Sequence, residues 1–575
     1  MSAQRESETH KQLASTRETV ESIWIAIVLA FVLRAFVLEA FVIPTGSMAP
    51  RLMGKHWQFD CPACKYHYSH GTPRKSLALR GGQLRAACPN CRSKLSRTDF
   101  DERVPRRYGG DRVLVLKYLY RFREPAAWDV VVFKNPQDNE QNYIKRLIGR
   151  PGQMIEIVHG DIFVCEGSDR TGDGVIDKRD FDADGNGLLD ARDHEKASWR
   201  ILRKSPETQK VMWQVVFDND YQPAPEVYKS LNRTKWESPW RPSEGDKDAW
   251  KLDSHGGRVF DFTGNRKRGR LQFGADGDPK RFYPAYAYNN PEEGQYDEMT
   301  DVNTDLKLSF MFVPKAEDSR VALCLSSFHH HFRAWVGADG HCRLEYRQAD
   351  KSGKVAWDDK TELWGSREDL PPLQIGRGYE VSLTHVDHQV SLWLNGEVVL
   401  KTTDQQYKVD RARLIKHAYN DPHAPDSTQV EVPMPKVAIL AEGGRSELWH
   451  VKLMRDVFYT CVKIRTPDGA DTGQKGHGTT GNPIVLRRFF DNPDMDEFFV
   501  LGDNSPQSQD GRMWFSQAPT LRAGYQKGTV PRYVMIGKAF FVYWPGGYRI
   551  PLLEGLPIIP DVGIVPNVGR MRLIR

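Results

Sequence analysis

Two residues from separate parts of the sequence have the types needed for nucleophilic catalysis: Ser47 in "FVIPTGSMAP" (Phe41 to Pro50) and Lys145 in "YIKRLIG". A serine hydroxyl is a poor nucleophile until a base takes its proton. A lysine amine can be that base when apolar burial depresses its pKa toward neutrality. Lys145 lies between Ile144 and Leu147 in a segment otherwise committed to apolar packing, whereas strand lysines ordinarily point at solvent. Ser47 follows the longest apolar run of the chain, so its hydroxyl is expected where a membrane surface meets water.

That run, Ile23 to Ile43, holds only Arg34 and Glu39 as charges in 21 residues. As a helix it would span about 31 Å, close to one hydrocarbon core. It is longer than the apolar region of a cleaved secretory signal, and no small-residue cleavage site follows it, so an uncleaved single-span anchor is expected. The later apolar stretch "IPLLEGLPIIPDVGIVP" is broken by prolines and glycines and does not compete. The formal charge of +6 over 575 residues argues against a dedicated nucleic-acid binder, whose basic residues would form a strong local stripe.

The elements that must position the two residues read as short β-strands. "GDRVLVLKYLY", "AWDVVVFKNP" and "NYIKRLIGRPGQMIEIVHGDIFV" are rich in β-branched residues and cut by Gly, Pro and Asn turns. The pattern stops at Cys165 and resumes after about Val457 in "VFYTCVKIRTP", "DEFFVLGDNS" and "VMIGKAFFVYWP". One antiparallel β-domain interrupted by roughly 290 residues at a hairpin tip accounts for this, since long surface insertions cost little. Cys165 and Cys461 flank the insertion and could form a disulfide across it if their strands pair; the alternative is two small buried hydrophobes.

The insertion opens with two near-copies, "DRTGDGVIDKRD" and "DADGNGLLDARD", 13 residues apart. Asp169, Asp173, Asp177 and Asp180, then Asp182, Asp184, Asn186, Asp190 and Asp193, place oxygens at intervals around Gly turns, which suits Ca²⁺. They resemble the aspartate-rich calcium repeats of thrombospondin-type and dockerin-like segments; a solvated acidic linker is the plainer reading. Residues 200–455 then alternate as many strands. "YEVSLTHVDHQVSLWLNGEVVL" carries an Asn395-Gly396 hairpin signal, and the whole is similar to concanavalin/laminin-G-like jelly rolls. "FHHHF" (His329, His330, His331) is expected on a solvated loop or edge.

Between Ser47 and Lys145, "CPAC" and "CPNC" give C-x₂-C-x₂₃-C-x₂-C (Cys61, Cys64, Cys88, Cys91). This is close to the Cys₄ spacing of zinc ribbons, with disulfides as the other fate of these thiols outside the membrane.

Five stretches occur in the order found in type I signal peptidases, which the chain resembles: an anchor, "IPTGSMAP", "GDRVLV", "YIKRLIGRPG", and "GDNSPQSQDGR" followed by "GKAFFVYWP". These cover about 210 residues in two pieces. The resemblance implies a membrane-bound serine–lysine endopeptidase that removes signal peptides from secreted preproteins without a catalytic cofactor. It aligns Ser47 with the nucleophile and Lys145 with the general base. Thr45 and the Ser47 N–H take the place of the oxyanion hole, and Ser508 that of the serine bonded to the lysine. Asp510 with Arg512, and Asp503 with Arg146, correspond to supporting ion pairs. Arg51 and Gly511 depart from the family pattern at positions without chemistry. The self-cleaving SOS repressors share the dyad, but are cytosolic and carry a DNA-binding domain.

The expected fold class is mainly β: an N-terminal transmembrane helix and a signal-peptidase-like antiparallel β catalytic domain, interrupted by a zinc-ribbon-like segment and a jelly-roll β-sandwich. The expected divisions are a cytoplasmic tail (1–22), the helix (23–43), the nucleophile segment (44–57), the zinc-ribbon-like insertion (58–97), the general-base segment (98–165), the acidic linker (166–199), the jelly roll (200–455) and the C-terminal catalytic part (456–575). The expected partners are signal peptides, membrane lipid and an unidentified ligand of the jelly roll, with no nucleic acid. The expected location is the cytoplasmic (inner) membrane, with the catalytic domain on the extracytoplasmic side. The rival reading is a catalytically lapsed, membrane-tethered binding protein that displays the jelly roll.

Overall fold

A computed structural model describes the chain except residues 1, 72–86, 94–105, 185, 187–188, 190–192, 194–195, 275–278, 284–287, 290–300, 351–352, 359, 419–431, 462, 466–470, 523, 548–566 and 575. The architecture is mainly β, as expected. One N-terminal apolar helix leads into an antiparallel sheet, and a two-sheet sandwich is built from the insertion.

The helix Ser2–Val32 runs into a π-turn at Leu33–Val37, and Arg17–Val37 is long and apolar enough to cross a membrane. The expected helix over 23–43 is corrected here. Leu38–Val42 is a strand, paired antiparallel with Arg112–Leu116 from Leu38↔Leu116 to Val42↔Arg112. Apolarity alone could not separate the two, because the end of the run is apolar for a different reason. Phe41 and Ile43 pack with Val113, Val115, Val130, Val132 and Val542 in the core of the sheet. Glu39 pairs with Lys117 (3.2 Å) instead of reaching for a lipid headgroup.

The main sheet runs in the order Leu38–Val42, Arg112–Leu116, Met535–Trp544, Val130–Asn135, Asp138–Gly149, Glu497–Leu501 and Val530–Pro531. Segments on both sides of the insertion therefore alternate in one sheet, as one interrupted domain requires. Asp138–Gly149 pairs along most of its length with Val130–Asn135, but only its end, Arg146 to Gly149, pairs with Glu497–Leu501. The far edge of residues 138–145 thus has no ladder partner among the described residues. A second small sheet joins Arg200–Ile201, Asp161–Glu166, Gln153–Val158 and Ile484–Val485.

The sandwich has an eight-stranded and a seven-stranded antiparallel sheet that share one core containing Phe310, Phe312, Leu323, Phe332, Val381, Leu392, Ile439 and Leu453. The expected solvated edge at "FHHHF" is not found. His330–Gly337 is an inner strand between Arg320–Ser327 and Cys342–Gln348, and His330 stacks on Tyr346. The sandwich is fixed to the rest of the chain by a buried lysine: Lys204 donates to Asp387 at 2.6 Å and meets Asp456 at 2.8 Å. Burial would lower its pKa, but these carboxylates hold it well above the ordinary lysine value.

At the neck of the insertion the chain returns beside Gly160, which bridges to Tyr459. Cys165 lies opposite Met154, whereas the Cys461 thiol approaches the Ile157 carbonyl at 3.8 Å, three residues along the same strand. Three strand residues are about 10 Å, beyond the span of a disulfide. Both thiols are free, so the clamp expected as one alternative is absent.

The neck turn is specified by His159 (φ 49°) and Gly160 (φ 87°), and a Cβ at 160 would fall 2.4 Å from the Phe458 ring. Gly160→Ala should therefore destabilise the protein by about 1–3 kcal/mol. The expected result is a lower midpoint in urea with unchanged slope; an unchanged midpoint would contradict this account of the neck.

Candidate active site

Ser47 does not sit on a strand. It follows Ile43 in a tight loop in which Ala49 N donates to Gly46 O (2.9 Å) and Leu52 N to Met48 O (2.9 Å). Such a loop needs outside anchors, and Asp111 of "GDRVLV" supplies one: its buried carboxylate accepts from Met53 N (2.9 Å) and Gly546 N (2.8 Å), while its carbonyl accepts from Ile43 N (2.9 Å). Asn504 supplies another, donating from its backbone to Ser47 O (3.0 Å) and from Nδ2 to Gly46 O (2.9 Å). Sequence reasoning did not single out either residue as a support; both lie inside quoted motifs, which was the available signal.

Lys145 is placed by register, opposite Val131 in the pair formed with Val130–Asn135. Its Nζ donates to Ser47 Oγ at 2.6 Å, and the two residues are only 4% and 7% exposed. The ring of Tyr143 lies 5.3 Å from the same nitrogen. A hydroxyl and an amine in direct contact, shielded from water, form the pair that proton transfer needs.

Two buried ion pairs lie beside these residues. Arg146 meets Asp503 through two hydrogen bonds of 2.7 and 2.6 Å and also donates to Trp128 O (2.8 Å). Arg512 meets Asp510 at 2.8 Å and donates to Thr460 O (2.6 Å) and Ser505 Oγ (2.7 Å). Burial would push the Asp510 carboxyl up, but Arg512 and the Gly502 N–H hold it below the ordinary carboxylate range. These pairs are hydrogen-bonded at both ends, which makes a buried charge tolerable.

Ser508 is a partial correction. It lies at the site, since a Cβ on Gly502 would meet Ser508 Oγ at 2.2 Å and Ser47 O at 2.5 Å. Its buried hydroxyl, however, has no hydrogen-bond partner among the described residues, and the Lys145 amine donates to Ser47. Thr45 is half-buried two residues before Ser47. Arg51 is lowered to about 10 by burial, with Asp503 opposing and Arg146 adding to the shift.

Cys61, Cys64, Cys88 and Cys91 come together on two matching turns. Lys65 N donates to Cys61 O (2.8 Å) and Arg92 N to Cys88 O (2.9 Å), with φ of 64° and 63° at Lys65 and Arg92. The sulfurs of Cys61 and Cys91 are 3.6 Å apart and those of Cys64 and Cys88 are 3.7 Å apart. Ligands about 2.3 Å from a tetrahedral ion are separated by about 3.8 Å, so the cluster could hold a structural metal, and its thiols are free.

The two acidic repeats differ. In the first, Arg179 already occupies the carboxylates of Asp173 (2.5 Å) and Asp177 (2.9 Å), while Asp169 and Asp180 accept from backbone N–H groups of their own loop. In the second, Asp182, Asp184 and Asp193 converge; the Asn186 backbone N–H donates to Asp184 (3.2 Å), and Asp190 lies outside the described residues. The two repeats are therefore not equivalent: in the first a guanidinium takes two of the carboxylates, and in the second three carboxylates converge.

Residues 103–192 and 489–544 match the family described as signal peptidase, peptidase S26. These two stretches belong to that family. The signal peptidase I of Rickettsia massiliae (strain Mtu5) is 27% identical over 161 residues, covering 27% of this chain and 47% of the relative. A probable signal peptidase I-1 of Synechocystis is 36% identical over 70 residues, covering 11% of this chain and 36% of the relative. The chain thus spans about half the length, or less, of these curated relatives. Among solved structures, the carbohydrate-binding module CBM66 from Bacillus subtilis is 9% identical, covering 38% of this chain and 95% of that one, with a TM-score of 0.22. Galectin LEC-6 of Caenorhabditis elegans is 14% identical, covering 27% of this chain and 82% of that one, with a TM-score of 0.15. The S26 stretches include Lys145 and all four supporting residues of the ion pairs; Ser47 and the four cysteines of the Cys₄ cluster lie outside them.

Metal analysis of the purified chain should find about one ion per molecule in the Cys₄ cluster, lost in Cys88→Ser. A metal-free chain with Cys61 disulfide-bonded to Cys64 would refute this.

Proposed function

We propose that this chain is a membrane-anchored serine endopeptidase that removes N-terminal signal peptides from exported preproteins, with Ser47 as nucleophile and Lys145 as general base. The observation that carries the reading is the buried 2.6 Å contact between Lys145 Nζ and Ser47 Oγ, in a chain with two S26 stretches. With a neutral amine, Oγ donates its proton to Nζ as it attacks the scissile carbonyl. The ammonium then protonates the leaving amine, the C–N bond breaks, and an acyl-enzyme remains. Lys145 next takes a proton from water as that water attacks the ester carbon; the C–Oγ bond breaks and Lys145 returns the proton to Ser47 Oγ. The Ser47 N–H and the Thr45 hydroxyl would stabilise the oxyanion, a role worth roughly 3–4 kcal/mol per donor in hydrolases.

The substrate would lie extended beside Lys145 and pair through its backbone with the strand Asp138–Gly149. The apolar span Arg17–Val37, which leads directly into the sheet bearing the nucleophile loop, supports anchoring with the site near the bilayer face on its extracytoplasmic side. The Cys₄ cluster suits zinc, filled by four thiolates and so structural; no cofactor takes part in the chemistry.

Cleavage of a preprotein in detergent by the purified chain and by Ser47→Ala tests the reading. The wild-type chain should release the signal peptide and Ser47→Ala should not. Lys145→Arg should be as inactive as Lys145→Ala, because a guanidinium stays protonated at any usable pH. Equal activity of wild type and Ser47→Ala would overturn Ser47 as the nucleophile, and none in either would leave the membrane-tethered binding protein as the better account.

A further inference from the structure

The insertion returns to the nucleophile loop at Tyr288 and Asn289. Tyr288 is 6% exposed and its ring lies on Gly46, so close that a Cβ at position 46 would fall 2.1 Å from a ring carbon. Its hydroxyl donates to Lys55 O (3.3 Å), and its carbonyl accepts from Gly71 N (2.8 Å) in the cysteine-bearing segment. Asn289 is 7% exposed and forms a reciprocal amide pair with the fully buried Asn504: Asn289 Nδ2 donates to Asn504 Oδ1 (2.8 Å), and Asn504 Nδ2 donates to Asn289 Oδ1 (2.6 Å).

The Asn504 amide group thereby becomes fully committed. One of its two hydrogens goes to Gly46 O and the other to Asn289, while its oxygen accepts from Asn289. An amide flip would set oxygen against the Gly46 carbonyl and nitrogen against the Asn289 nitrogen, so the pair admits one orientation. The held carbonyls are those of Gly46 and Ser47, and the peptide plane between them carries the Ser47 N–H. We propose that Asn289, with Tyr288 beside it, is a positioning residue for the Ser47 nucleophile: the inserted domain holds the Gly46–Ser47 peptide through Asn504. The inference rests on Ser47 being the nucleophile, as proposed above, and makes the insertion a working part of the active site.

The test is steady-state cleavage of a preprotein by the full chain with Asn289→Ala and Asn289→Asp, beside wild type, Asn504→Ala and the double variant Asn289→Ala/Asn504→Ala. Misplacing a reacting group by a fraction of its contact distance costs rate more than binding. Asn289→Ala should therefore lower kcat by about 10- to 100-fold with KM within about twofold of wild type, at unchanged far-ultraviolet circular dichroism. Asn289→Asp is nearly isosteric and keeps the acceptor but loses the amide donor; it should fall in the same direction even if the alanine variant folds poorly. The double variant should be no slower than Asn504→Ala, since both substitutions break one link. A kcat within twofold of wild type in the folded aspartate variant, or multiplicative losses in the double variant, would overturn the proposal while leaving Ser47 as nucleophile. An inactive wild type would instead overturn the peptidase reading and this inference with it.

Discussion

A buried amine must meet a hydroxyl carried by a segment 98 residues away, at 2.6 Å, and the rest of the catalytic part is arranged around that contact. Neither partner could hold the position alone. Lys145 is fixed by strand register, so its direction follows from the ladder with Val130–Asn135. Ser47 has no ladder and is fixed by carbonyls and amides: Asp111 ties the loop to the end of the neighbouring strand, and Asn504 grips the Gly46 and Ser47 carbonyls. The turn that carries Asn504 is in turn braced by two fully buried ion pairs, Arg146–Asp503 and Arg512–Asp510, each also hydrogen-bonded to backbone or hydroxyl groups. Loss of one partner would leave an uncompensated buried charge, costly enough to loosen the turn.

A long insertion is compatible with this arrangement because loop length costs only a logarithmic term; the chain leaves after Asp161–Glu166 and returns beside Gly160, at the other end of that strand. The insertion does not hang free, however. Lys204 between Asp387 and Asp456 locks the sandwich to the rest of the chain, and the Cys₄ segment rests on the insertion through Asn90, whose oxygen accepts from Asp218 N (2.6 Å) and whose Nδ2 donates to Tyr221 O (3.0 Å). Tyr288 and Asn289 bring the inserted segment to Gly46 and Asn504, and Tyr288 also joins it to the cysteine-bearing segment at Gly71.

The sequence brought Ser47 and Lys145 forward because both lie in short local motifs, and the residues of the two ion pairs came with them. The β-sandwich was legible from period-two alternation around Asn395-Gly396, which forms the hairpin between Gln389–Leu394 and Glu397–Lys401 as read. Features that depend on tertiary placement were not legible. The run to Ile43 is uniformly apolar, but its last residues are apolar because they enter a protein core, and composition cannot tell core from lipid. Cys165 and Cys461 flank the insertion in sequence yet attach to different points of one strand. Arg179 pairs with Asp173 and Asp177 in the first acidic repeat, a contact that no spacing rule contains. "YAYNN" has no periodicity and matches no motif, so nothing local announced that Tyr288 and Asn289 reach Ser47.

The central claim is that Ser47 becomes covalently acylated. It is tested most directly by acid-quenching the purified chain during preprotein cleavage and mapping its peptides by mass spectrometry. The account predicts a transient ester on the Ser47 peptide whose added mass is that of the signal-peptide fragment less water, and no such species in Lys145→Ala. Continued cleavage with no adduct at Ser47, or an adduct on another residue, would contradict it.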